Sequence, residues 1–142
     1  MILLLLLTAS CSKPGKYLAT LEGEWRMGEF YHKGKDLGAT AHYNIKFEKD
    51  KVLFLRVERE MKNNKFRSAT YTLYETSDTL RMTIQGHKEK WLDGTYDVHI
   101  DTIQETPLCY FEEIILDTEE TYIRAIRGRN KGNSPRDPAL YK

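Results

Sequence analysis

Apolar and polar positions alternate along most of this chain. Over residues 41–47, Ala41, Tyr43, Ile45 and Phe47 share one face, and His42, Asn44 and Lys46 share the other. That period of two is the mark of a strand with one dry and one wet face. The same pattern places strands at 24–31 (Trp25 and Met27 on one face), 66–75 (Ala69, Tyr71, Leu73), 80–84 (Leu80, Met82, Ile84) and 96–101 (Tyr96, Val98, Ile100). Over 52–60 the inward set is read as Leu53, Leu55 and Val57, opposed by Phe54, Arg56 and Glu58. Residues 108–117 are apolar on both faces, and 121–127 form the last strand. Residues 17–22 suit one or two helical turns stopped by Gly23, which tolerates positive φ.

Turn residues separate these segments at hairpin length: Glu48-Lys-Asp-Lys51, Lys62-Asn-Asn-Lys65, Thr76-Ser-Asp78, Asp93-Gly94, Glu105-Thr-Pro107 and Asp117 to Glu120. Residues 86–93 are the longest interruption. Helical crossovers are absent, so parallel pairing is excluded and an antiparallel meander is expected. Eight strands with one apolar face each close naturally into an up-and-down barrel, which removes exposed edges. A two-sheet sandwich is the competing architecture. The predicted fold is therefore all-β: an eight-stranded antiparallel up-and-down barrel with a short N-terminal helix, the two together covering 17–128. A polar basic tail follows over 129–142.

The N-terminus carries a different signal. Leu3 to Leu7 are uncharged and followed by Thr8-Ala9-Ser10-Cys11. The run is too short to span a bilayer core, which needs about 20 apolar residues. It fits the apolar region of a secretory signal ending in small residues. Thr8-Ala9-Ser10-Cys11 resembles the lipobox of bacterial lipoproteins, although the chain opens Met1-Ile2 without that family's Lys or Arg. The resemblance implies cleavage after residue 10, a diacylglycerol on Cys11 with palmitate among its acyl chains, and a tether over 11–16. Removing residues 1–10 leaves 142 − 10 = 132 residues, enough for one domain with one core. In many Bacteroidetes lipoproteins acidic residues after the cysteine mark export to the cell surface. Ser12-Lys13-Pro14-Gly15-Lys16 has none, which points to the periplasmic face of the outer membrane.

Composition narrows the partners. Charged residues make up 30% of the chain, yet the net charge is +1, so no nucleic-acid partner is implied. With Cys11 lipidated, Cys109 has no intramolecular partner, and it reads as a small buried hydrophobe. His32, His42, His87 and His99 form no metal-binding spacing and read as solvated surface histidines. Glu112 and Glu113 are neighbours on a strand and point to opposite faces, so they do not form a catalytic pair. One of them is a candidate inward polar group. Nucleophile elbows and phosphate-binding glycine loops are missing from the sequence. No catalytic residue, metal or cofactor is expected, and the chain does not read as an enzyme.

Leu21-Glu22-Gly23-Glu24-Trp25 resembles the G-x-W signature that opens the first strand of lipocalins, with residues 17–22 in the place of the short helix before it. The likeness extends over about residues 17–128 and is to bacterial lipocalin-like lipoproteins of Bacteroidetes type. The family's T-D-Y motif is absent. The resemblance implies a barrel floor made by Gly23 and Trp25, with Arg124 or Arg127 of the last strand packed over the indole. It also implies a cup lined by Tyr43, Ile45, Leu55, Tyr71, Met82, Tyr96 and Val98 that holds a small hydrophobic or amphipathic ligand. The alternative is a filled barrel that works as a protein-interaction or inhibitor module in the cell envelope. An eight-stranded interior can be filled by side chains or hold one small ligand.

Overall fold

A computed structural model describes residues 21–38, 42–57 and 67–130, with the side chains of 42, 43, 56, 57, 67, 104 and 130 excepted. The signal, Cys11, the tether, residues 131–142 of the tail and all but Leu21 and Glu22 of the expected helix lie outside these residues.

The strands are β1 (Gly23–His32), β2 (Lys35–Asp36), β3 (His42–Glu48), β4 (Lys51–Val57), β5 (Arg67–Glu75), β6 (Leu80–Gln85), β7 (Gly94–Glu105), β8 (Cys109–Asp117) and β9 (Thr121–Asn130). A 3-10 turn spans Lys90–Leu92. Every pairing is antiparallel, each strand from β3 onward pairs with the next, and β1 pairs with both β3 and β9. β1 and β3 to β9 thus form a closed eight-stranded barrel, and the sandwich is ruled out. The two-residue β2 folds back on the end of β1, pairing Tyr31 with Asp36 and His32 with Lys35.

β1 closes the barrel by serving two neighbours. Gly23 to Arg26 pair with Phe47 to Asn44, and Arg26 to His32 pair with Ile126 to Thr121. The register shifts between Met27 and Glu29, a bulge centred on Gly28. A bulge adds one residue on one strand and increases its local twist. It lets Trp25 and Phe30, of opposite parity, both point inward.

The β3–β4 turn corrects the reading of β4. It contains only Lys49 and Asp50, because Glu48 already pairs with Lys51. Lys49 takes φ 47° there. The tight turn sets Ile45 opposite Phe54 and Phe47 opposite Val52. Directly paired residues share a face, so Val52 and Phe54 point inward while Leu53 and Leu55 are half-buried on the outer face. The sequence reading took the wrong parity, since Val52-Leu-Phe-Leu55 is apolar at every position and a shift of one residue reverses both faces.

β8 resolves without ambiguity. Ile114 and Leu116 are buried opposite Ala125 and Ile123, and Ile115 lies outside. β9 runs on to Asn130, past Gly128, where the sequence reading ended the barrel. The ring of Phe111 covers Gly128 so closely that an added Cβ would lie 3.1 Å from its Cε1.

Candidate functional site: a barrel interior closed at both ends

At one end Trp25 is fully buried, and its Nε1 donates to the carbonyl of Leu21 at 2.9 Å. The guanidinium of Arg127 lies 3.8 Å from the centroid of the indole ring. The same guanidinium donates to the carbonyls of Glu22 (2.8 Å) and Leu21 (3.3 Å), tying the last strand to the chain entering the first. Its Nε donates to Glu112 at 2.6 Å, and Arg129 reaches the same carboxylate oxygen at 2.7 Å. One carboxylate thus serves two guanidiniums, of which that of Arg127 lies against the indole. All three side chains are less than a fifth exposed. Gly23 opens the floor with φ 115°, a conformation that would strain any other residue.

Of the two arginines expected over Trp25, Arg127 takes the place and Arg124 does not. Arg124 is on the outer face, paired with Glu113 and, at 3.3 Å, with Glu29. The alternation along β9 decides this: Thr121, Ile123, Ala125 and Arg127 are its buried set. Glu112 does point inward, but into the floor ion pair rather than a pocket.

The middle of the barrel is packed. Ile45, Met82 and Ile84 are 0% exposed, so no water-sized space touches them. Phe47 meets Tyr71 edge-on, with ring centroids 5.3 Å apart. Tyr96 and Val98 complete this layer. Of the expected cup residues, Ile45, Tyr71, Met82, Tyr96 and Val98 therefore come together inside. Leu55 does not, for the reason given by the β3–β4 turn. The side chain of Tyr43 lies outside those described.

Burial is the main reason that the Tyr71 and Tyr96 phenols are pushed up to about 12. For Tyr71 the nearby charges of Glu22 and Asp50 add to it. The Tyr96 hydroxyl donates to the carbonyl of Leu92 at 2.8 Å. The Tyr71 hydroxyl is buried without a hydrogen-bond partner among the described residues.

The other end is capped by the segment that reads in sequence as an interruption. Leu92 is 1% and His87 0% exposed. This corrects the expectation of a solvated His87. Its ring packs edge-on against Phe54 at 5.3 Å, and its Nδ1 accepts the N–H of Glu89 at 3.0 Å. Asp93 receives the N–H groups of His87 (2.8 Å) and Gly86 (3.2 Å) and the ammonium of Lys90 (3.2 Å). Partial burial works against its charge, yet these donors hold its carboxyl below the usual range. Trp91 packs at a tilt against His32 (4.7 Å) and Phe30 (5.5 Å). His32 is half-buried and hydrogen-bonded to the buried Thr121 at 2.9 Å. His99 is exposed, as expected, and the side chain of His42 is not among those described.

Two clefts lie at the rim of the floor end. One, about 520 Å³, runs between residues 75–80 and 98–101. The other, about 540 Å³, is bounded by Glu22, Gly23 and residues 46–51. Charged and polar turn residues supply most of their walls, and of the expected cup residues Val98 alone borders either. Among the described residues no group of three or more His, Cys, Asp or Glu side chains could hold a metal. Cys109 is half-buried at the start of β8 rather than in the core.

The sequence reading missed the cap and the second arginine of the floor. The signal for Arg129 was present: Arg127 and Arg129 continue the inward parity of Ile123 and Ala125. For the cap there was no periodic signal, because a 3-10 turn inside a charged loop has none.

The architecture is that of a lipocalin-like β-barrel with an Arg-on-Trp floor. Comparison with known protein families, with curated proteins and with solved structures finds no match for this chain.

Proposed function

We propose that this chain is a lipoprotein anchored to the outer membrane through Cys11, on the periplasmic side, and that its barrel acts as a docking module for another envelope protein. The observation that carries the docking reading is the filled interior. With Ile45, Met82 and Ile84 inaccessible and both ends capped, the folded core holds the shape and the outer surface is left for recognition. The anchor reading rests on Thr8-Ala9-Ser10-Cys11 after the leucine run. No catalytic role is proposed.

Ligand carriage is the second reading, and one observation favours it. The Tyr71 hydroxyl is buried without a described partner, and buried polar groups are normally satisfied. A small amphipathic molecule with a polar group against Tyr71 would supply the missing bond.

Native mass spectrometry of the detergent-extracted protein tests both readings. The proposal expects the diacylglyceryl and acyl mass on Cys11 and no retained small molecule. A stoichiometric extra mass released on unfolding would put the ligand reading first. A membrane fraction unchanged by Cys11→Ala would sink the anchor.

A further inference from the structure

We infer that the β7–β8 hairpin is a second, apolar membrane contact that stands the barrel on its Trp25 end. This inference rests on the anchor proposed above. β7 pairs with β6 only as far as Val98, and β9 pairs with β1 only as far as Ile126. Beyond these points β7, β8 and the end of β9 continue as a three-stranded tongue past the floor. At its tip, Thr106-Pro-Leu-Cys109 is a closed turn. The N–H of Thr106 donates to the carbonyl of Cys109 at 2.7 Å, and the Thr106 hydroxyl accepts the N–H of Cys109 at 3.0 Å. Pro107 follows Thr106, where a fixed φ suits such a turn.

This rigid tip presents Leu108, which is 81% exposed, and Ile103, at the bulge of β7, is 45% exposed. They are the two most exposed large hydrophobic residues described. Glu112, four positions from Leu108, marks the level of the floor, so at about 3.3 Å per residue the tip stands roughly 13 Å beyond it. Arg127 binds the carbonyls of Leu21 and Glu22 at that floor, so the chain from Cys11 enters at the same end. The 21 − 11 = 10 residue steps from Cys11 to Leu21 can span at most about 35 Å. An anchored lipid and the apolar tip therefore reach the same surface.

The charges near the tip argue for the kind of surface. Asp101 and Glu105 are exposed beside it, and the carboxylate of Glu112 already engages Arg127 and Arg129. The tip itself, Thr106-Pro-Leu-Cys109, carries no formal charge, so the contact is apolar insertion into a zwitterionic headgroup layer.

The lipidated protein is reconstituted into phosphatidylcholine vesicles with and without brominated acyl chains. Tryptophan emission is compared for wild type, Leu108→Trp and Glu119→Trp, the last lying in the turn at the opposite end. The exposure of both sites leaves the fold unchanged, which circular dichroism checks. The inference expects brominated lipid to remove most of the emission added at 108 and none of that added at 119. If the protein carries its acyl mass and floats with vesicles, but emission at 108 is not quenched, the hairpin contact is overturned and the anchor stands. Equal quenching at both ends overturns it too, since the barrel would then lie on its side. A wild type that neither carries an acyl mass nor floats refutes the anchor, and the inference falls with it.

Discussion

Arg127 and Trp25 meet cation over ring, 3.8 Å apart, and join the last strand of the barrel to the first. The contact itself is worth about 0.5–2 kcal/mol. Arg127 also holds two backbone carbonyls and the Glu112 carboxylate. Trp25→Ala should cost about 3–5 kcal/mol by emptying the floor. Arg127→Ala should cost a comparable amount, about 3–5 kcal/mol, because it leaves Glu112 and the carbonyls short of a buried partner. Denaturant melts measure both. A loss no greater than that of Lys46→Ala would remove either residue from the floor.

The parity of β4 gives a paired prediction. Phe54→Ala should lose about 3–5 kcal/mol, since the ring is 2% exposed and packs on His87. Leu55→Ala should lose about 1 kcal/mol, in keeping with a half-buried outer position. The reverse order in urea melts would restore Leu55 to the interior.

β4 also shows where the sequence was legible and where it stopped. Strands with one polar face, such as β3 and β6, announced their inward residues, and the structure keeps Ile45, Met82 and Ile84 there. β4 is apolar at 52–55 on both faces, so its own pattern carried no choice. The choice lay in the turn: pairing around a two-residue loop at 49–50 puts 54 opposite 45. Arg124 and Arg127 posed the same problem at the floor, being three apart and hence of opposite parity. The alternation from Ile123 selects Arg127, a long-range fact only once Ile123 is known to face in.

Alkali should loosen the barrel through its tyrosines. Tyr71 and Tyr96 are pushed up to about 12, so the folded chain holds their protons more tightly than the unfolded one. Their contribution is intact below the ordinary value of about 10 and is lost as pH rises from roughly 10 to 12. At about 1.4 kcal/mol per unit, each accounts for about 3 kcal/mol. Urea midpoints followed across that window should fall in wild type and much less in the Tyr71→Phe, Tyr96→Phe double variant.

At neutral pH the same two residues should separate. Tyr96→Phe gives up the bond to Leu92 and should lose about 1 kcal/mol. Tyr71→Phe removes a hydroxyl with no described partner and should gain about 1 kcal/mol. A clear loss from Tyr71→Phe in a calorimetric melt would mean that something serves that hydroxyl, which favours the ligand reading.

Met82 probes the middle layer. Met82→Ala should cost about 2–5 kcal/mol and open an apolar void. In a titration with a fluorescent fatty-acid-like dye, wild type should show no saturable site, and the variant should acquire one. Saturable binding by wild type at one site per chain would displace the docking proposal.

The seam between β1 and β9 sets the order in which this barrel can be completed. Phe30 waits for Ile123, 123 − 30 = 93 residues later in the chain. Until that partner arrives, β1 and β8 each present an open strand edge, and the meander between them has nothing to close against. Pairing at such sequence separation makes folding slow and late. β9 is therefore the chain's own timer: until it has paired with β8 on one side and β1 on the other, a nascent polypeptide is an open ribbon and not yet a closed object.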